Sequence, residues 1–69
     1  MILNRDTKHA VAVGDVLKCD CMEFYAVLTV IPGARGSVCF TVRDRCGRTI
    51  YAMPSYMFYG AEIVKEQDC

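Results

Sequence analysis

Residues 44–64 read DRCGRTIYAMPSYMFYGAEIV, and this stretch decides the fold that the sequence predicts. Asp44 is a residue type that favours the start of a turn, and Gly47 supplies the left-handed backbone of a type I turn with a glycine bulge. Residues 48–53, directly after the turn, include the β-branched and aromatic side chains that strands favour. The stretch therefore predicts a hairpin whose second strand is 48–53.

A corner follows that strand. Pro54 has no N–H to donate to a sheet and therefore ends a strand, whereas Gly60 readily adopts the positive φ that closes a turn. The segment 54–59 between the strand and Gly60 has a length that suits a one-turn corner, and residues 61–65 form a short β-prone run. The sequence thus predicts a strand, a one-turn corner and a last strand in that order.

Three further strands are predicted before the turn. Residues 16–21 follow a Gly-Asp turn signal, and residues 37–43 alternate between the two faces. Residues 24–31 are apolar on both faces, as in a strand that is central or has one face covered by a partner. Residues 32–36 contain one proline and two glycines and form the loop before 37–43. These short strands, separated by turns about every ten residues, predict an all-β, five-stranded small barrel without an ordinary helix.

The order of these elements resembles the Src-homology-3-like class of small barrels, in which a single 3-10 turn joins the last two strands. The run 53–56, Met-Pro-Ser-Tyr, stands where such domains often carry a similar Pro-Ser-x-Tyr run. The resemblance implies an SH3-like barrel with a 3-10 corner before the last strand. The peptide-binding members of this class use a tryptophan, and the chain contains none. We divide the chain into a flexible or edge-strand N-terminal arm at 1–9, a single small β-barrel domain at 10–65 and a C-terminal tail at 66–69.

The composition of the chain indicates a partner. Of its 69 residues, 54% are hydrophobic, and a domain of this size cannot bury all of them. Eight Lys and Arg balance eight Asp and Glu, so the molecule as a whole has no long-range attraction for phosphate backbones. No stretch has the pattern of a signal peptide or a membrane span, which predicts a cytoplasmic protein without membrane contact. We expect the partner to be another protein or a second copy of the chain.

The five cysteines favour reduced thiols, because an odd number leaves at least one unpaired. Four of them, the number that tetrahedral zinc requires, are Cys19, Cys21, Cys39 and Cys46. Cys19 and Cys21 share one face of an extended strand, but the single residue between them is too short a spacing for the usual paired zinc ligands. Packing as small hydrophobic side chains is the favoured interpretation, and zinc binding is the alternative.

No catalytic set is evident in the sequence. A nucleophilic cysteine or serine needs a base, and the one histidine, His9, lies in the polar N-terminal arm. The run Thr49-Ile50-Tyr51 resembles part of the Gln-Ile-Tyr active-site strand of the type II dihydrofolate reductases, which have this barrel and a similar length, with Thr49 in place of the glutamine. We expect a protein that is not an enzyme and carries no cofactor, and keep a small reductase-like enzyme as a disfavoured alternative.

Two surfaces are candidates for binding. The first is a basic patch on the predicted hairpin and a neighbouring loop, and it consists of Arg35, Arg43, Arg45 and Arg48. One acid, Asp44, lies among them, so the patch has an excess of positive charge that suits RNA, DNA or an acidic protein. Charges at hairpin tips also prevent the edges of two sheets from pairing, which is the alternative interpretation.

The second surface is the densest group of aromatic and methionine side chains in the chain. This corner cluster consists of Tyr51, Met53, Tyr56, Met57, Phe58 and Tyr59. A single corner cannot bury six such side chains, and Tyr and Met are enriched in the desolvated centres of interfaces. The leading hypothesis is therefore a regulatory module that binds protein through the corner cluster, such as the inhibitors and accessory factors that phages and mobile elements encode. Binding of RNA or DNA through the arginines is the second hypothesis.

Overall fold

The computed structural model of the protein describes residues 1–20 and 23–65 and shows one five-stranded antiparallel sheet. In chain order the strands are β1 (Val16–Asp20), β2 (Glu23–Pro32), β3 (Val38–Arg43), β4 (Thr49–Pro54) and β5 (Glu62–Val64). The 3-10 turns are η1 (Lys8–Ala10), η2 (Ala34–Gly36) and η3 (Ser55–Phe58). No α-helix occurs within the described ranges, and the predicted all-β class is confirmed.

The strands lie in the order β4-β3-β2-β1-β5, so β2 is the middle strand, as its two apolar faces predict. In the part of the chain that the structure describes, β4 and β5 do not pair, and the sheet is not closed into a barrel. Ile2 forms an isolated bridge with Glu62 and thereby occupies the outer side of β5, where β4 would have to pair for closure. The predicted five-stranded sheet is confirmed, whereas its predicted closure is not observed.

The turn at 44–47 has the hydrogen bonds of the predicted hairpin. The N–H of Gly47 donates to the carbonyl oxygen of Asp44 (3.1 Å), and Gly47 has a φ of 88°. The Asp44 carboxylate also accepts a hydrogen bond from the N–H of Arg48 (2.8 Å), so the Asp44 side chain stabilises the turn. β3 therefore reverses into β4 at the place that the sequence predicts.

The predicted corner is occupied by η3, which lies between β4 and β5. Phe58 at its end is buried and fixes the corner to the sheet. The ring of Phe58 meets that of Tyr25 edge-on, with 5.5 Å between the centroids, and lies 6.2 Å from the ring of Phe40. Such aromatic pairs stabilise a core beyond the area that they bury. The corner is therefore held to β2 and β3 through one side chain.

The core draws fully buried side chains from every strand except β4. It consists of Leu3, Val11, Leu17, Val27, Val38, Phe40, Val42, Phe58, Ala61 and Ile63. From β4, Ile50 and Met53 pack against this core while remaining half-buried. β4 is thus the strand least covered by the rest of the molecule.

The N-terminal residues lie along the outer side of β5. The N–H of Leu3 donates to the carbonyl oxygen of Ala61 (2.7 Å), and the N–H of Ile63 donates to that of Met1 (2.7 Å). The side chain of Leu3 is fully buried, which the sequence alone did not indicate. The predicted tail at 66–69 and the predicted end of the first strand, Cys21, lie outside the described residues.

An ion pair joins the segment before β1 to the residue after β5. The Lys65 Nζ lies 2.6 Å from the Asp15 Oδ2 and donates a second hydrogen bond to the Ala10 carbonyl oxygen (2.7 Å). The same Asp15 oxygen accepts a hydrogen bond from the N–H of Ala12 (2.8 Å). Asp15 is buried, so these donors replace the water that its carboxylate loses on folding.

Candidate functional site

The corner cluster divides into exposed and buried members. The large exposed side chains, with their fractional exposures, are Tyr51 (77%), Tyr56 (65%), Met57 (57%) and Tyr59 (40%). Phe58 is part of the core, and Met53 is half-buried against it. The structure thus brings four large side chains of one short segment, 51–59, to the surface.

A bulge in β4 brings the first of these side chains, Tyr51, to the surface. Phe40 pairs with Met53 and Val42 pairs with Ile50, so two residues of β4 lie opposite the single residue Thr41. These two are Tyr51 and Ala52, and both are exposed. Because the bulge adds one residue to the strand, Ile50 and Met53 lie on the same face, where a regular strand would place them on opposite faces.

The backbone at the bulge is held in an uncommon conformation. Ala52 has a φ of 52°, a region that costs a residue with a Cβ atom roughly 1–2 kcal/mol. The N–H of Ala52 donates a hydrogen bond to the buried hydroxyl oxygen of Thr41 (3.2 Å). This bond compensates for part of the backbone hydrogen bonding between β3 and β4 that is lost at the bulge. The rest of the fold therefore maintains a strained bulge beside the most exposed large side chain, Tyr51.

A cavity of about 240 Å³ lies beside the corner. The side chains around it are Cys19, Glu23, Tyr25, Ile50, Met53, Met57 and Phe58. The residues from β4 and η3 are apolar, and Glu23 is the one charged residue in the lining. We call this space the corner cavity. It combines an apolar wall with a single carboxylate, the usual composition of a site that recognises one side chain or a small ligand.

Part of this lining belongs to a surface that the sequence predicts. Met53, Met57 and Phe58 belong to the predicted corner cluster, whereas Glu23 and Tyr25 come from the start of β2. No local motif marks these two residues, because they reach the corner only when β2 pairs with its neighbours. In the sequence, the aromatic character of Tyr25 at the apolar start of β2 was the one feature that could have indicated its place in this lining.

Cys19 lies at a bulge in β1, between Lys18, which pairs with Phe24, and Asp20, which pairs with Glu23. Desolvation raises the pKa of the Cys19 thiol, and the carboxylates of Glu23 and Asp20 raise it further. The thiol therefore remains protonated at neutral pH, which is the opposite of an activated nucleophile.

The pKa of Tyr25, on the neighbouring strand, is raised as well. Its pKa is raised first by desolvation and next by the charge of Glu23. The carboxylate of Glu23 thus raises the pKa of both Cys19 and Tyr25, because its negative charge lies at this end of the corner cavity. A cation placed there would be stabilised by the same carboxylate.

The arginines predicted as one patch occupy two places. Arg43, Arg45 and Arg48 lie together at the turn between β3 and β4, and we call these three the arginine hairpin. Arg35 lies in η2, in the loop between β2 and β3. Since that loop and the turn at 44–47 lie at opposite ends of β3, Arg35 is separated from the other three by the length of the strand.

Carboxylates lie among the side chains of the arginine hairpin. A second cavity, of about 170 Å³, is lined by Glu23, Phe24, Tyr25, Asp44, Arg45 and Cys46. Two carboxylates thus accompany the one guanidinium in this lining. Arg45 also lies over the ring of Phe24, with 5.9 Å to the centroid, and Lys18 lies at the same distance from that ring. Glu23 of the neighbouring strand, together with Asp44 of the turn, therefore offsets part of the positive charge of the arginine hairpin.

The described cysteines are free thiols in three different places. Cys19 is exposed in β1, Cys39 is half-buried in β3, and Cys46 is exposed in the turn. Cys21, the fourth residue of the zinc alternative, lies outside the described residues. Within residues 1–20 and 23–65 no three His, Cys, Asp or Glu side chains are grouped so that they could hold a metal ion.

Comparison of the chain with protein-family models, curated proteins and solved structures finds no match. None of the helical segments in the described ranges has the length and apolar character needed to cross a membrane.

Proposed function

We propose that the protein is a small non-enzymatic binding module that contacts another protein through the corner formed by β4 and η3. The observation that carries this proposal is the exposure of Tyr51, Tyr56, Met57 and Tyr59 within one short segment beside the corner cavity. Several large exposed side chains within one short segment suit an interaction site, because Tyr and Met are enriched in interfaces.

The bulge in β4 supports this role of the corner. Ala52 keeps a strained backbone, and the consequence is that Tyr51 points to solvent while Ile50 and Met53 face the cavity. Strained backbone and bulges cluster at binding sites, where they direct a side chain toward a ligand. Regular pairing would have cost less and would have placed one of these two side chains on the other face of the strand.

We propose further that the sheet is a variant of the SH3-like small barrel and that the module is cytoplasmic. The position of β5 beside β1, together with a single 3-10 turn between β4 and β5, supports the first statement. The free thiols of Cys19, Cys39 and Cys46 support the second, because the cytoplasm keeps cysteines reduced.

Binding of RNA or DNA through the arginine hairpin is less well supported than protein binding. Glu23 and Asp44 line the same cavity as Arg45, and phosphate groups that approach this guanidinium would meet both carboxylates. Arg35 lies in η2, at the other end of β3, and so does not add its charge to the arginine hairpin. The charge distribution therefore favours a protein partner over a nucleic acid.

Selection of ligands from a peptide-display library on the folded protein, followed by calorimetry with variants, tests the proposed function. Tyr56→Ala should weaken the binding of the selected peptides by about 2 kcal/mol, roughly 30-fold, as the loss of an interface anchor does. Val13→Ala removes an equally exposed apolar side chain far from the corner and should change the affinity less than about twofold. Sedimentation equilibrium of the same variants tests for a second copy as the partner.

The proposal is wrong if Tyr56→Ala remains folded, as judged by circular dichroism, and binds the selected peptides at full strength. It is also wrong if replacement of the arginine hairpin abolishes binding while the corner variant has no effect.

A further inference from the structure

The corner cavity combines two chemical surfaces that one ligand group must satisfy. Ile50, Met53 and Met57 supply an apolar wall, and Phe58 closes it with an aromatic ring. Glu23 supplies a carboxylate at the β2 side. Glu23 is exposed, so water also reaches its carboxylate. A purely apolar group would make no use of this charge, and a small hydrated ion would make no use of the wall.

Glu23 has charge available for such a partner. Within residues 1–20 and 23–65 it forms no ion pair, although Arg45 lies near it in the second cavity. Asp20 pairs with Glu23 across β1 and β2 and adds a second negative charge to this end of the sheet. Arg45 does not line the corner cavity, so the carboxylate faces that space without a cation.

Among protein side chains, arginine matches both surfaces. Its aliphatic stem packs against apolar groups, and its planar guanidinium forms two parallel hydrogen bonds with a carboxylate and stacks on aromatic rings. Methionine side chains adapt to such a stem because they are unbranched and flexible, and Met53 and Met57 line the wall. Lysine offers a stem and a charge, but its ammonium is more strongly hydrated and has no planar face to stack.

We infer that the corner cavity receives an arginine side chain of the protein partner, with its guanidinium on Glu23 and its stem against Met53 and Met57. This inference rests on the proposed function, because it names the group that anchors a partner at the same corner. Tyr56, which is exposed and precedes the lining residue Met57, would then flank the anchor and help to exclude water from it.

Three small molecules test the inference without a known partner. They are n-butylguanidinium, n-butylammonium and the neutral n-butylurea, which has almost the shape of the first. Each is titrated into protein carrying ¹³C-methyl methionine, and the methyl shifts of Met53 and Met57 report occupation of the cavity. Met1 is exposed and lies on the β5 side of the sheet, so its methyl group is the internal control. Probes of this size bind in the millimolar range.

The expected result is saturable movement of the Met53 and Met57 signals with n-butylguanidinium and binding of n-butylurea that is weaker by about tenfold or more. Glu23→Gln should weaken n-butylguanidinium by about tenfold as well, because it removes the charge from the hydrogen bonds. Glu62→Gln is the matched control, since Glu62 is an exposed carboxylate of β5 that does not line the cavity. Both variants replace exposed groups, and the methyl spectrum shows whether the fold is kept.

Three results would overturn the inference. One is equal binding of n-butylurea and n-butylguanidinium, and another is n-butylammonium binding more tightly than n-butylguanidinium. The third is the absence of any shift at Met53 and Met57. If one of these occurs while Tyr56→Ala still abolishes peptide binding, the anchor is wrong and the proposed function stands. If n-butylguanidinium enters the cavity but Tyr56→Ala leaves peptide binding unchanged, the site exists and the proposed function is wrong.

Discussion

The two edge strands of the sheet, β5 and β4, differ in whether another segment of the chain covers them. At β5 the residues Met1 and Leu3 pair with the outer side of the strand, and the side chain of Leu3 enters the core. At β4 no described segment covers the edge, and Tyr51 is more than three-quarters exposed. One edge is thus closed by the protein itself, and the other is left accessible.

The difference explains how an accessible edge avoids indiscriminate pairing. An uncovered regular strand is a template for the strands of other molecules, and natural proteins interrupt such edges with bulges and prolines. β4 has a bulge at Tyr51 and Ala52 and ends at Pro54. The uncovered edge is therefore unsuited to extended strand pairing, and its aromatic side chains remain available for a specific contact.

Truncation of one large side chain at each edge should have very different effects on stability. Leu3→Ala should lower the free energy of unfolding by about 2–5 kcal/mol, because it removes a fully buried side chain from the core. Tyr51→Ala should change it by less than about 0.5 kcal/mol, since its ring is mostly in solvent. Urea denaturation followed by circular dichroism measures both values.

Equal effects of Leu3→Ala and Tyr51→Ala would contradict the assignment of one edge to stability and the other to binding. A conservative Leu3→Met variant serves as the control, because it keeps most of the buried volume and should cost less than about 1.5 kcal/mol.

The ion pair beside the closed edge should have an intermediate effect. Lys65→Met removes the donor to the Asp15 carboxylate and leaves that buried group with the N–H of Ala12. Because Lys65 is about half-exposed, with 53% of its side-chain surface accessible, the expected loss is about 1 kcal/mol and not the larger cost of a fully buried pair. Thermal unfolding of Lys65→Met beside Lys8→Met checks this, and equal melting temperatures would show that the pair contributes nothing.

The open edge should become more stable when its strain is removed. Ala52→Gly relieves the positive φ but adds freedom to the unfolded chain, so the expected gain is about 0.5 kcal/mol. Ala34→Gly, at an exposed residue of η2, is the control and should give no gain. A loss of stability in Ala52→Gly would mean that the bulge is not strained.

The smallest effect is expected from the thiol in the corner cavity. The folded protein raises the pKa of Cys19 above that of an ordinary thiol, about 8.5, so its contribution to stability is complete below that pH and is lost as the pH rises through the folded pKa. The rate of alkylation of Cys19 by iodoacetamide should accordingly rise at a higher pH than in the urea-unfolded chain. Glu23→Gln should move the profile back toward the unfolded one, and Glu62→Gln should not.

Much of the fold could be predicted from the sequence, because its signals are local. Gly47 and Pro54 fix a turn and a strand end through their own backbone preferences, and the observed strands agree with the predicted ones within one or two residues. The bulges at Cys19 and at Tyr51 and Ala52 could not be predicted, since they depend on how two strands pair. Burial of Leu3 likewise depends on the distant β5.

The candidate site could be predicted in part. The corner cluster was visible as a composition, but the burial of Phe58 follows from its contacts with Tyr25 and Phe40, which are distant in sequence. Glu23 joined the site through strand pairing. Arg35 was grouped with the arginine hairpin by closeness in sequence, although the predicted antiparallel strands themselves place its loop at the opposite end of β3.

If the open edge and corner bind a partner while the closed edge does not, a chemical-shift map will show it. The tightest peptide from the library selection is titrated into ¹⁵N-labelled protein, and the movement of each amide signal is recorded. We expect the largest changes at residues 49–59 and at Glu23 and Tyr25, with small changes at residues 1–3 and 62–64. Changes centred on the arginine hairpin or on the β5 edge would contradict this expectation.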